Sequence, residues 1–308
     1  MKILTPSSDL STLFVGLAIG TEPSILENIL LVGAKDTPML REIKRVLVSN
    51  VKSVWLHDTL RAPRNANDSA AKYVQDFDAN TSNTSVENEN VVQIFRDDVS
   101  VAKILQNIAS IDKQAEFERQ LSKRSIEHLL DIENAFWGDQ SPFLSSASEE
   151  KNIVGGVWHF AKRQTTDYAG KELTFDDILD IQQKVYDSGG DPRKIFVGAG
   201  MKRKINDIVE KKKVTRFLNG DSRKVDFLIS TIETDFGATD IVLTRFLKDM
   251  PDRILCCDPE SIELGLLQDT KIIKPEGDNL ADNAIIYSGM TYHFRNTFAL
   301  SAGVGFKV

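Results

Sequence analysis

The chain has 308 residues, is 41% hydrophobic and 27% charged, and carries 45 acidic against 38 basic side chains, a net charge of −7. That balance describes a folded protein with room for one large domain or two modest ones, and it excludes a disordered chain. It argues against a free nucleic-acid binder, which needs excess Lys and Arg to displace counterions, and no run approaches the roughly 20 apolar residues that cross a bilayer.

Residues 1–20 read as an arm, with a brief apolar run at 11–20 that Gly16 and Gly20 interrupt. Acidic and polar residues arrive too early for a secretory leader. A short helix is expected over 21–31, with Thr21 as cap and Pro23 in its first turn, and Pro38 is expected to stop it. Val46, Val48, Val51 and Val54 place two short strands between Ile43 and Trp55. Residues 57–90 then change character to Asn, Asp, Ser and Thr, with Leu60, Tyr73, Val74 and Phe77 as isolated apolar anchors. The length exceeds that of ordinary loops. Both flanks, 50–58 and 90–99, look like strands. A protruding hairpin ordered by something outside the monomer fits this layout; a plain surface insertion is the other reading.

The firmest helix begins near Ser110 or Asp112 and ends at Gly138, with Phe117, Leu121, Leu129, Ile132 and Phe136 at helical spacing. About 25 residues make a rod of about 37 Å, long enough to act as a spine. The segment GGVWHFAKRQ, 155–164, reads as a loop. Thr174 caps the next helix, with Asp177 in capping-box position. Its apolar positions are Ile178, Ile181, Val185 and Tyr186, and Gly189 and Gly190 end it. A strand at 194–199, a helix at 201–211 and a hairpin across Gly237 follow. RILCCDP, IELGLL and TKIIKP read as three short strands before the closing strands. Strands, then helices, then strands describe an α+β fold rather than a doubly wound one.

Cys256 and Cys257 are adjacent. Neighbours in a strand point to opposite faces, so they should not pair with each other, and a reducing compartment or a disulfide-free particle is expected; a vicinal redox pair is the alternative. His57, His128, His159 and His293 lack metal-ligand spacing, and His128 reads as a partly exposed helical side chain. No nucleophile elbow, Walker loop or dinucleotide fingerprint is present. Asp97 and Asp98 should diverge and so cannot share one metal. No catalytic, cofactor-binding or metal-binding residue is assigned, and no cofactor is expected.

Two rival functions have some footing. Gly198-Ala199-Gly200 lies between a strand and a helix, where an enzyme pocket reaching to Lys204 could hold an anion. The basic residues from Lys202 to Lys213, with Arg216 and Arg223 nearby, could serve a nucleic-acid-binding accessory protein. A turn and a solvated helix end are the simpler readings of these two features.

Several segments together resemble one family. They are Lys35-Asp36-Thr37-Pro38; Trp55-Leu56-His57-Asp58 followed by Leu60, Ala62, Asn65 and Ala66; and Asn90 to Ile94 with Val99-Ser100. Gln120, Lys123, Leu129, Asp131, Ile132 and Glu133 continue the match, then Gly155-Gly156-Val157. Ile232-Glu233-Thr234-Asp235-Phe236-Gly237 completes it, with Ile232 standing where Tyr is usual. In this order and spacing the chain resembles the tailed-bacteriophage major capsid proteins of the SU10 type, which have the HK97-like fold.

The resemblance implies an N-terminal arm and first elements over 1–50, an extended loop over 51–98 and a peripheral domain with the spine helix over 99–149. It implies an axial domain over 150–260 and closing strands over 261–308 that return to the peripheral domain. It further implies a non-enzymatic subunit that self-assembles into pentamers and hexamers of a shell around double-stranded DNA, made in the host cytoplasm and resident in the virion. Portal, scaffold or decoration proteins are implied partners; a membrane is not. Within that reading, Tyr73, Val74 and Phe77 are expected to seat the loop on an adjacent subunit. Arg61, Arg64, Glu87 and Glu89 are expected to make ionic contacts between subunits.

Overall fold

A computed structural model describes residues 36–57, 65, 86–103, 116–146, 150–212, 231–275 and 280–307. The expected helix at 21–31, the anchors Leu60, Tyr73, Val74 and Phe77, Arg61 and Arg64, and the basic residues Lys213, Arg216 and Arg223 lie outside the described residues.

The helices are α1 (Pro38–Glu42), α2 (Glu116–Phe136), α3 (Val157–Ala161), α4 (Phe175–Asp187) and α5 (Ala199–Lys212). The strands are β1 (Lys44–Leu47), β2 (Lys52–His57), β3 (Val86–Val91), β4 (Gln93–Ala102), β5 (Thr165–Asp167) and β6 (Lys194–Val197), followed by β7 (Thr231–Thr234), β8 (Gly237–Leu243), β9 (Ile254–Cys257), β10 (Ile262–Ile273), β11 (Ala281–Phe294) and β12 (Leu300–Val304).

Three sheets result. One has the order β1-β10-β11-β4, one β5-β12-β9-β6-β8-β7, and β2 and β3 form a separate hairpin. In the first sheet β1 runs parallel to β10, while β10, β11 and β4 are antiparallel. In the second, α5 is the crossover between the parallel neighbours β6 and β8.

The central strands of the six-stranded sheet are buried on both faces. Ile195, Val197, Ile254 and Cys256 meet Ile178, Ile181 and Val185 of α4 and Met201 and Ile205 of α5. The alternate residues Phe196, Leu255 and Cys257 face a second core, shared with Phe136 and Trp137 beside the spine helix and with Leu264, Met290, Tyr292 and Phe294 of the four-stranded sheet. Alternation along β6 and β9 thus places successive residues in different cores. Each fully buried aliphatic or aromatic side chain contributes about 1.5–3 kcal/mol by leaving water.

Local chemistry explains the element ends. The Thr174 hydroxyl accepts from Asp177 N, and the Asp177 carboxylate accepts from Thr174 N at 2.9 Å, completing the expected capping box. Burial alone would raise the Asp177 carboxyl. The Lys171 ammonium at 2.6 Å, the Thr174 hydroxyl and the Thr174 N–H outweigh that and hold it below the usual carboxylate range. The β7–β8 turn closes at Gly237, whose φ of +114° is a conformation that side chains resist. Gly156 is demanded by close approach instead, since a Cβ there would lie 2.1 Å from the Gly138 carbonyl oxygen.

Several expectations are corrected or extended. Pro38 itself begins a helix: it occupies the first turn of α1, where its missing N–H costs nothing, while the helix it was expected to stop lies outside the described residues. Residues 157–161, read as part of a loop, form α3, too short to display helical periodicity. IELGLL and TKIIKP are not separate strands; β10 runs through both, with register shifts around Gln268 absorbing the polar interruption. His128 is fully buried, not partly exposed, while Leu129 is 44% exposed. The segment 261–308 divides, because β10 and β11 lie in the four-stranded sheet while β12 joins β5 and β9 in the six-stranded one.

Candidate assembly interface

The hairpin β2–β3 is the element that two bulky cores leave over. Its register pairs Ser53 with Asn90, Trp55 with Asn88 and Leu56 with Glu87. Strand alternation gives it two faces of different chemistry. The inner face is fastened to its own chain. Asn90, fully buried, donates to the Tyr292 carbonyl at 2.8 Å and the Gly155 carbonyl at 3.3 Å and accepts from Gly155 N at 2.7 Å. Trp55 Nε1 donates to the Phe294 carbonyl at 2.9 Å, and its ring lies 5.3 Å from that of His293. The Ser53 hydroxyl lies 2.5 Å from His293 Nε2; burial holds that imidazole below its ordinary pKa.

The outer face is bare. Val54 is 45% and Leu56 67% exposed, with Glu87 and Glu89 beside them. Glu89 pairs with Lys52 at 2.5 Å. Of the expected contact residues, then, the described ones, Glu87 and Glu89, lie together on the outward face of β3. Arg61, Arg64, Tyr73, Val74 and Phe77 lie outside the described residues, between β2 and β3 in sequence.

The four-stranded sheet is one-sided in part: β10 is buried on both faces over 262–266 and β11 over 288–292, but not beyond. The spine helix α2 covers the face of β4 and β11 that carries Phe95, Val99 and Ala284, whereas Ile94 is 69%, Ile273 46% and Leu280 81% exposed. Exposed aliphatic side chains are thus concentrated on one sheet and one hairpin, as on surfaces built to meet a partner.

Two buried polar devices hold this half of the molecule. His128 Nδ1 donates to Asp97 at 2.7 Å, and its Nε2 lies 2.8 Å from the Ser288 hydroxyl. The order Ser–His–Asp is that of a hydrolytic triad, but Ser288 and His128 are both 0% exposed, so the relay fastens α2 to β4 and β11. Asp98, as expected, points away from Asp97, toward Arg96 at 2.9 Å. The second device is Glu133. Its carboxylate accepts from Met39 N at 3.0 Å, Leu40 N at 2.9 Å and Trp137 Nε1 at 2.9 Å. The first two are free amides of the α1 first turn, so Glu133 pins the start of the described chain to the spine. Burial pushes its carboxyl up from the usual range, and the three donors only partly offset that.

Sequence reasoning named Asn90 and Glu133 only through the family resemblance, without their anchoring roles, and missed the burial of His128. The signals were present. Asn88 and Asn90 alternate with Glu87 and Glu89, and Glu133 sits four residues before Trp137 on the stripe side of the helix.

At Gly198, in the supposed anion loop, an added Cβ would make only an ordinary contact, 3.4 Å from the Leu247 carbonyl oxygen. Among the described residues no group of His, Cys, Asp and Glu could hold a metal ion, and no helix is long and apolar enough to cross a membrane. Cys256 and Cys257 are free and buried.

A spine helix across a four-stranded sheet, a second sheet behind it and a projecting hairpin define the HK97-like shell-protein fold. Solved structures agree. One from Mycobacterium phage Bobi aligns with a TM-score of 0.61 at 14% identity, covering 96% of this chain and 99% of its own. The capsid of Myoviridae phage XM1 aligns at 0.61 and 10%, covering 98% and 100%. The holo-SrpI encapsulin complex from Synechococcus elongatus PCC 7942 aligns at 0.60 and 9%, covering 98% and 96%. No curated protein matches in sequence. A family profile described as SU10 major capsid protein matches residues 9–305, and the chain belongs to that family. It is a structural subunit of a phage capsid, and copies of it build the multi-subunit shell of the virion. Neither the enzyme nor the nucleic-acid-binding alternative is supported.

Proposed function

We propose that the subunits close into pentamers and hexamers of a shell around double-stranded DNA, with the 51–98 loop of each copy lying over its neighbour. The observation that carries this reading is the two-faced hairpin: one face bonded to its own body, the other with Val54 and Leu56 bare. Tyr73, Val74 and Phe77 seat the loop beyond the described strands, and Arg61, Arg64, Glu87 and Glu89 supply ionic contacts across the subunit boundary. The unit around the four-stranded sheet is the peripheral domain and the six-stranded sheet is the axial domain, with β12 assigned to the latter.

The subunit is non-enzymatic. Its net charge of −7 suits a wall that contains DNA with little specific binding. Assembly takes place in the host cytoplasm, with portal, scaffold or decoration proteins as partners. Electron microscopy of the purified protein tests the proposal: closed particles with five- and six-fold rings are expected, and a persistent monomer would overturn it. Alanine at Tyr73, Val74 and Phe77 together should weaken shells and leave the soluble subunit folded; unchanged shells would remove the loop from the interface.

A further inference from the structure

A cleft of about 360 Å³ opens beside β3, between the hairpin base and α3, and is lined in part by Glu87, Asn88, His159, Arg163 and Thr297. Its floor holds polar atoms without partners. Thr297 is 1% exposed and its Oγ1 makes no hydrogen bond; His159 Nδ1 is likewise buried and unpaired. Behind Asn88, whose amide donates to His57 Nδ1 at 3.0 Å, the His57 Nε2 is a third unpartnered atom. His57 is not itself part of the lining, but the two orphans that are, on Thr297 and His159, indicate that something completes the cleft, because buried polar groups are normally satisfied.

The charges indicate what. Arg163 lies over the Phe298 ring at 5.5 Å and forms no ion pair among the described residues. Glu87, which also lines the cleft, has no cation within ion-pair distance among them, while the neighbouring lining residue Glu89 is paired with Lys52. A guanidinium is suited to a carboxylate, which it can bind through two hydrogen bonds. Glu87 repels a free, multiply charged anion such as phosphate, but it favours a carboxylate that arrives with a neighbouring cation. An acidic chain assembling with itself offers such carboxylates in excess, 45 acidic side chains per copy against 38 basic.

We propose that this cleft seats an acid–base pair of side chains from a neighbouring copy, its carboxylate received by Arg163 above Thr297 and His159 and its cation by Glu87. The inference rests on the shell-subunit reading and assigns one socket within it. The test is a side-chain-resolution electron-microscopy map of assembled wild-type shells, together with shell melting of Arg163→Gln, Arg163→Lys and Glu87→Gln. A carboxylate of an adjacent copy is expected within hydrogen-bond distance of Arg163. Arg163→Gln should lower the shell melting temperature by several degrees without changing that of the unassembled subunit, and Arg163→Lys should restore part of the loss. Glu87→Gln should give a smaller drop. An Arg163 facing solvent, a cleft holding only water or a free anion, or unchanged melting of Arg163→Gln shells would each overturn the proposal. Absence of particles from wild-type protein would instead overturn the shell reading, and this socket with it.

Discussion

The two sheets of this subunit live under different rules. The central strands β12, β9 and β6 of the six-stranded sheet have helices α4 and α5 on one face and the shared core on the other, so their burial is complete within one chain. The hairpin, β4 and the far halves of β10 and β11 are covered less completely, and Ile94, Leu56 and Ile273 are exposed there. The difference teaches where self-sufficiency ends: substitutions in the first region act on the subunit, and substitutions on the bare faces of the second act on the shell.

The comparison breaks most violently at the seam between the regions. Phe136, 0% exposed, packs edge-on against Tyr292 at 5.2 Å and Trp137 at 5.1 Å. Phe136→Ala should cost the unassembled subunit about 3–5 kcal/mol in urea denaturation. Asn90→Ala removes the amide that ties the hairpin to two carbonyls and one N–H; a loss of about 2 kcal/mol is expected, with faster amide exchange across β2 and β3 as its signature. A loss of similar size with no change at the hairpin would show that Asn90 acts elsewhere.

In the self-sufficient half, Thr174→Ala should cost about 1 kcal/mol through the lost cap. The partner Asp177 adds a pH signature. Its carboxyl titrates lower in the folded state than in the unfolded one, so its contribution is complete above about pH 4, the unfolded value, and is lost as pH falls through the folded value. Asp177→Asn should therefore be less stable than wild type at neutral pH and converge with it in acid. A constant difference from pH 7 to pH 2 would count against the assignment. The smallest effect on the subunit is expected at Leu56→Ala: within about 0.5 kcal/mol, as for an exposed position, yet with lower shell melting. Equal melting of shells would mean that the outer face of the hairpin stays wet.

Much of the fold was legible in the sequence, for physical reasons that differ by element. The spine declared itself by periodicity, α4 by its cap and the β7–β8 turn by Gly237. The α3 helix was hidden because five residues hold little more than one turn. The β10 strand was hidden because Gln268-Asp269-Thr270 looks like a boundary when tertiary pairing is not visible. On the spine, residue type misled. Leu129 is apolar and was placed on the stripe, but Phe117, Leu121, Ile132 and Phe136 recur in steps that put position 128 inward, and His128 goes there because Asp97 and Ser288 are waiting for both ring nitrogens. Glu133 was placed by resemblance alone; its job depends on the amides of Met39 and Leu40, some ninety residues away.

The adjacent thiols carry a practical consequence. Cys256 and Cys257 are both 0% exposed, yet they open onto opposite cores, one under α4 and α5 and the other behind the spine. A thiol reagent can reach each sulfur only when that sulfur's own side of β9 loosens. Mass-resolved labelling rates at the two positions would thus act as paired clocks inside a single strand, timing the breathing of each half of the subunit before and after it enters a particle.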